Sequence, residues 1–148
     1  ARIHAEGLRC SDLEIEITEG EWLRVNSVPG EQLRRMASAG IRLALDDFGS
    51  GYSNFAYLTE LPIHTLKLDK SLIDGISTDT RARLKVRAII GLAHDLGYTA
   101  VAEGAETADQ VTTLRELGCD QIQGFALCRP ISATELTDRL TVAPHLLE

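Results

Sequence analysis

The sequence predicts an α/β fold: an incomplete TIM-like (β/α)8 barrel of about five parallel strands with intervening helices. Short apolar runs alternate along the chain with longer helical stretches, and repeated strand–helix units imply a parallel sheet covered by helices. Polar side chains gather at the carboxyl ends of five different strands. That is where barrel enzymes build their sites, and it separates this fold from a doubly wound open sheet. The chain has 148 residues, whereas a complete barrel takes about 250.

Each element has its own signal. Leu13, Ile15 and Ile17 alternate with Glu14, Glu16 and Thr18, the period of two of a half-buried strand. A helix over 31–39 is entered after Pro29 and closed by Gly40. Ile41 to Leu45 form the second strand, which ends in Asp46-Asp47-Phe48-Gly49-Ser50-Gly51. A helix from about Ser53 to Glu60 leads through Leu61-Pro62 into a strand from Thr65 to Asp69. Asp79 to Leu96 read as a long helix, with Leu84, Ile89, Leu92, Ala93 and Leu96 broadly on one face and Gly97 as its stop. A strand from Tyr98 to Glu103, a helix from Ala108 to Leu117 and a short strand from Asp120 to Gln123 follow. Ser132 is placed to cap a closing helix from about Ala133 to Leu140.

Composition excludes several classes. With 44% hydrophobic and 25% charged residues, the chain is of ordinary globular make-up. Its 15 basic and 22 acidic side chains give a net charge of −7, without the basic footprint of a non-specific nucleic-acid binder. No DNA or RNA polymer is expected as a partner. No apolar run approaches the ~20 residues that span a bilayer, and Ala1-Arg2-Ile3-His4 is no signal peptide. A cytoplasmic location without membrane contact from this segment is expected; an upstream part could carry a tether. Cys10, Cys119 and Cys128 are an odd count without a C-x-x-C pair, as for reduced thiols, and the four histidines lack metal-ligand spacing. A metal here needs oxygen ligands.

Those oxygens are available. Glu16, Asp46, Asp47 and Glu103, from separate elements, repel one another if gathered without cations. Hard divalent ions relieve the repulsion, and adjacent aspartates can serve two ions a few ångströms apart. Such a pair activates water and clamps the attacking and leaving oxygens of a phosphoryl transfer. Lys67 adds a fixed positive charge for the nucleophile or the transition state. A single strand-end carboxylate is often only a helix cap; a ring of them is not so explained.

The ordered blocks Glu16-Ile-Thr-Glu19, Asp46-Asp-Phe-Gly-Ser-Gly-Tyr-Ser53, Leu66-Lys-Leu-Asp69, Val101-Ala-Glu-Gly-Ala-Glu-Thr107 and Gln123-Gly-Phe125 closely resemble the signature blocks of EAL-type cyclic di-GMP phosphodiesterase domains. The resemblance covers nearly the whole chain and implies that residues 1–148 are the carboxyl-terminal part of one EAL domain. It implies Glu16, Asp46, Asp47 and Glu103 as ligands of two Mg²⁺ or Mn²⁺ ions, Asp47 serving both. Lys67 resembles the catalytic lysine that holds the attacking water, and Glu103 and Gln123 resemble the carboxylate and glutamine of the metal–water network. Glu19, Asp69 and Glu106 resemble supporting residues, Glu19 shaping the loop from Phe48 to Asn54. That loop couples dimerisation to the metal site in this family, and its Gly49 and Gly51 permit unusual backbone angles. The implied reaction hydrolyses one phosphodiester bond of cyclic di-GMP to linear pGpG in bacterial second-messenger signalling. Implied partners are the dinucleotide, a second copy of the domain, and an upstream sensor or GGDEF-type domain.

Two departures stand beside these matches. The Glu-Ala-Leu block is absent, as is the later asparagine that completes the metal site. Both belong to strands upstream of Ala1, so this chain alone is expected to be inactive. The alternative is a non-catalytic EAL-like module that binds cyclic di-GMP or a protein partner.

Several local features have plainer readings. Asp47-Phe48-Gly49 matches the kinase metal-binding triplet, but nothing else of a kinase is present. Lys67 as a Schiff-base lysine is the main chemical rival. Gly104 is weak evidence of a phosphate-cradling turn. Trp22 and Met36 read as core or helix-face residues, Phe125 as packing rather than base stacking, and His64 as a structural loop residue. Arg81, Arg83, Lys85 and Arg87 read as a solvated helix face, Cys119 and Cys128 as buried small hydrophobes.

Overall fold

The computed structural model of the protein describes residues 7–18, 28–51, 58–59 and 62–142. Five strands, β1 (Glu14–Thr18), β2 (Arg42–Phe48), β3 (Thr65–Leu68), β4 (Thr99–Ala102) and β5 (Gln121–Ile122), form one sheet in chain order. Every pairing is parallel. A sheet with strands in sequence order and helices between them is a (β/α) barrel wall, here open and not closed among the described residues. The helices are α1 (Val28–Ser38), α2 (Lys70–Ile73), α3 (Thr80–Asp95), α4 (Ala108–Glu116) and α5 (Ala133–Val142), and a 3₁₀ turn over Cys10–Asp12 precedes β1.

Alternation along the strands gives the sheet two unlike faces. Ile17, Leu45, Leu66 and Ala100 lie side by side in register, and together with Leu43, Leu68 and Ala102 they pack against the helices. From α3 the core takes Val86, Ile89, Ile90 and Ala93, and from α4 Val111 and Leu114. Each such aliphatic side chain contributes about 1.5–3 kcal/mol by leaving water. The opposite face is polar. Glu14 accepts from Arg42 Nε and from Thr65 Oγ1, both at 3.0 Å, and Lys67 stands two residues beyond Thr65 on the same side.

The sheet departs from regularity at one point. Leu45 is level with Leu66 and Phe48 with Leu68, so Asp46 and Asp47 together stand opposite the single residue Lys67. This is a β-bulge, and Asp47 takes the left-handed conformation that it needs (φ 56°). The extra residue restores Phe48 to the helix side, where it is fully buried, while Asp46 keeps to the polar face.

The structure corrects several expectations. β2 runs to Phe48, so the aspartate pair lies within the strand and not after it. α1 begins at Val28, and Pro29 falls in its first turn, where no N–H is needed. Asp69 leaves β3 and caps the short helix α2, accepting from Ser71 N at 3.0 Å. The buried face of α3 is centred on Val86, Ile89, Ile90 and Ala93, and Leu84 is exposed. Phe125 is 54% exposed, with the Arg129 guanidinium 4.9 Å from its ring centre, so it is not a core residue. Cys128 is exposed; Cys119 is half-buried and its thiol donates to Gln121 O. Gly49 has a left-handed backbone (φ 94°) but Gly51 does not. The expected helix at 53–60 lies outside the described residues apart from Leu58 and Thr59, as do Trp22 and Glu19.

Other expectations hold. Ser132 caps α5 through Glu135 N, and Met36 packs on the core. Arg81, Arg83, Lys85 and Arg87 are exposed along α3. His64 is tied into the sheet, donating its amide to Leu43 O at 2.8 Å and accepting Leu43 N on Nδ1.

Candidate active site

At the carboxyl ends of the strands, Lys67 is the organising side chain. It is almost wholly buried, which a lone ammonium does not tolerate. Three carboxylates compensate it: Glu103 Oε1 at 2.7 Å, Asp46 Oδ1 at 3.0 Å, and Glu16, which accepts a close hydrogen bond. Burial alone depresses a lysine, but Glu103, Glu16 and Asp46 outweigh it and hold Lys67 above the ordinary lysine range. A Schiff-base lysine needs a depressed pKa, and the three carboxylates around Lys67 shift it the other way, which disfavours that alternative.

The carboxylates form a second layer around that cation. Asp46, Asp47 and Glu103 each offer an oxygen, and the three oxygens lie within 4.8 Å of one another. In a regular strand Asp46 and Asp47 would point to opposite faces; the bulge lets both reach this cluster. Partial desolvation raises the Asp47 carboxyl above its usual range, and the charges of Asp46 and Asp69 raise it further. Asp46 Oδ1 is buried, with the Lys67 ammonium 3.0 Å away but no hydrogen bond. Three clustered carboxylates, one of them with a buried oxygen, have the donor chemistry of a hard-cation site.

The remaining predicted residues sit around this centre. Glu16 is 54% exposed and meets Lys67; it stands outside the three-carboxylate group. Gln123 follows β5, donating its amide to Ala102 O at 2.8 Å and accepting Ala105 N at 3.1 Å, so backbone bonds fix its place. Glu106 is exposed and pairs with Lys70 at 3.3 Å. Asp69 caps α2, and hydrogen bonds from the Ser71 hydroxyl first, then from the Ser71 and Lys70 amides, hold its carboxyl below the usual range despite partial burial. Gly49 lies against Leu72, and a Cβ there would come within 2.5 Å of Leu72 Cδ1.

Beside the carboxylates opens a cavity of about 380 Å³, bounded by Asp69, Lys70, Glu103, Gln123 and Phe125 among others. Sequence reasoning missed Lys70 as part of this region. The signal was present: a lysine directly after a strand-ending aspartate opens the following helix at the rim of a barrel.

Comparison with known proteins fits this geometry. The EAL domain family profile matches residues 1–130. Cyclic di-GMP phosphodiesterase PA2567 of Pseudomonas aeruginosa is 42% identical over 130 residues, which are 88% of this chain and 22% of that protein. The chain thus spans about a fifth of that relative's length. The EAL domain of Mycobacterium smegmatis DcpA superposes with a TM-score of 0.86 at 35% identity, covering 94% of this chain and 62% of that one. Klebsiella pneumoniae BlrP1, in a manganese/cyclic di-GMP complex, gives 0.79 at 35% identity, covering 84% of this chain and 32% of that one. With the strand order, the bulged aspartate pair and the buried lysine all in place, the chain belongs to the EAL domain family.

Proposed function

We propose that this segment supplies the carboxyl-terminal share of a metal-dependent phosphodiesterase that hydrolyses cyclic di-GMP to linear pGpG. The observation that carries it is the convergence of Asp46, Asp47 and Glu103 within 4.8 Å, beside a lysine held charged. The donor set fits hard divalent ions: it is all oxygen, and it includes a buried carboxylate oxygen without a hydrogen bond. Asp46, Asp47, Glu103 and, across Lys67, Glu16 are the residues that would hold Mg²⁺ or Mn²⁺. When bound, such ions lower the pKa of water and neutralise charge on the phosphoryl oxygens.

The chain's own residues do the rest. Lys67, fixed by three carboxylates, supplies a stationary positive charge beside the place where negative charge develops. Gln123 offers amide hydrogen bonds at the cavity mouth, and the exposed ring of Phe125 lies beside it as an apolar wall. The product leaves with one new phosphate monoester, so hydrolysis opens the ring without releasing mononucleotides.

The expected setting is a homodimer in a multidomain, cytoplasmic signalling protein. Bifunctional diguanylate cyclase/cyclic di-GMP phosphodiesterase MucR of Pseudomonas aeruginosa, 38% identical over 129 residues, joins two activities in one protein by its name, and this chain covers 19% of it. No helix among the described residues is long and apolar enough to cross a membrane. The sequence contains no Glu-Ala-Leu tripeptide.

The test is a chimaera in which this segment replaces the aligned part of the DcpA EAL domain, assayed with Mn²⁺ by chromatography of the dinucleotides. Conversion to pGpG, lost on Asp46→Asn or Lys67→Ala, supports the proposal. A folded chimaera that binds cyclic di-GMP without turnover selects the non-catalytic module. Turnover by the isolated chain at the rate of the intact domain would overturn the expectation that it is inactive alone.

A further inference from the structure

The side chain of Lys70, first residue of α2, lies flat on the backbone that follows Glu103. A Cβ built on Gly104 would stand 2.7 Å from Lys70 Cγ and 2.8 Å from its Cβ, so the lysine stem occupies the space that a side chain would need. Gly104 is left-handed there (φ 71°). Beyond the stem, the ammonium is 3.3 Å from Glu106 Oε1 and 3.3 Å from Asp74 Oδ1. One side chain thus touches the 103–106 turn at its middle and at its end, with Glu103 at its start. The turn's other supports are the backbone bonds Glu103 N to Leu68 O, Ala105 N to Gln123 O and Ala126 N to Ala105 O, the Lys67–Glu103 ion pair, and the capping of α4 by Thr107 and Gln110. At Gly104, between them, the three atoms nearest to a built Cβ all belong to Lys70.

We propose that Lys70 is a positioning residue for Glu103: its stem seats Gly104, its ammonium anchors Glu106, and together they aim the Glu103 carboxylate at Asp46 and Asp47. This deepens the metal site of the proposed function and rests on it. Lys70 acts only through the turn, and its own ammonium faces Asp74 and Glu106, away from the Lys67 cluster. Residues that orient ligating carboxylates in this way commonly carry 10–100-fold in metal affinity.

The experiment compares the chain with Lys70→Ala and Lys70→Met variants, using Mn²⁺ alone as the probe in calorimetry. Amide hydrogen exchange of Ala105 is measured alongside in metal-free protein. Lys70→Ala is expected to weaken Mn²⁺ binding by about tenfold and to speed Ala105 exchange, with an unchanged circular-dichroism spectrum. Lys70→Met keeps the stem but not the ammonium and is expected to recover part of both losses. Gly104→Ala strains a left-handed backbone whatever Lys70 does, so Lys70→Met read against the parent keeps the test decisive if Lys70→Ala does not fold. Affinity for Mn²⁺ within twofold of the parent in Lys70→Ala, with unchanged exchange, overturns the proposal, as does Met behaving like Ala. If the parent chain alone takes up no Mn²⁺, the same variants are compared in the DcpA chimaera, where absence of Mn²⁺ uptake would count against the proposed function, and the exchange measurement still decides the role of Lys70.

Discussion

Gly124 lies so close to Ala105 that a Cβ on it would stand 2.1 Å from the Ala105 carbonyl oxygen. The obstacle is backbone, which cannot rotate aside. Gly124→Ala therefore forces β5 and the 103–106 turn apart and displaces Gln123, at a cost of about 1–3 kcal/mol from overpacking. Urea unfolding measures the loss, and faster exchange of the Ala105 amide locates it. An unchanged unfolding midpoint would show that the two segments do not touch.

Lys67→Met removes the cation that Glu16, Asp46 and Glu103 share. Stranding those carboxylates is expected to cost about 3 kcal/mol at pH 7. The pH dependence has a definite sign. The folded-state pKa of Lys67 is raised above 10.5, so its stabilisation is complete below 10.5 and declines as pH rises through the higher folded value. The stability gap between parent and variant should be flat from pH 7 to 9 and narrow only at strongly alkaline pH.

Asp120 gives the opposite sign. Its Oδ2 accepts Ala100 N and His94 Nε2, each at 2.8 Å, and so ties the start of β5 to β4 and α3. Partial burial opposes ionisation, but those two bonds prevail and hold the carboxyl below 3.8. Its stabilisation is present above 3.8 and is lost as pH falls through the lower folded value. Asp120→Asn should be less stable than the parent at pH 7, and the two should converge in acid unfolding followed by far-ultraviolet circular dichroism.

Asp46→Asn is expected to lower Mn²⁺ affinity of the chain by at least about tenfold, because it neutralises one of three clustered carboxylates. It also removes one of the three charges that compensate buried Lys67, so the metal-free protein is expected to be slightly less stable. Calorimetry and urea titration read the two effects separately; equal Mn²⁺ binding would remove Asp46 from the ligand set.

The strand and helix order was legible because parallel strands buried by helices leave a strong apolar signal. Leu43, Leu45, Leu66 and Leu68 announce themselves. So did the strand-end residues Asp46, Lys67 and Glu103, since charged groups at the ends of apolar runs have few structural uses. The bulge was not legible: it depends on two residues of β2 meeting one of β3, a pairing no local window contains. Phe125 was misread because an aromatic was presumed to seek the core; it stays exposed under Arg129 beside the cavity. Leu84 fell outside the helix-packed stripe for a geometric reason: the buried face of α3 is set by Ile89, Ile90 and Ala93, which lie on another side.

The surplus residue in β2 has a consequence for how this segment tolerates insertion and loss. Phe48 reaches its fully buried position only because two aspartates are spent on one step of the ladder. Deleting either one would rotate the phenylalanine toward the polar side and evacuate the space it fills, so folding and chemistry fail together. A natural variant can swap these acids for amides and keep its architecture, but it cannot shorten the strand by one residue without rebuilding both sides of the wall.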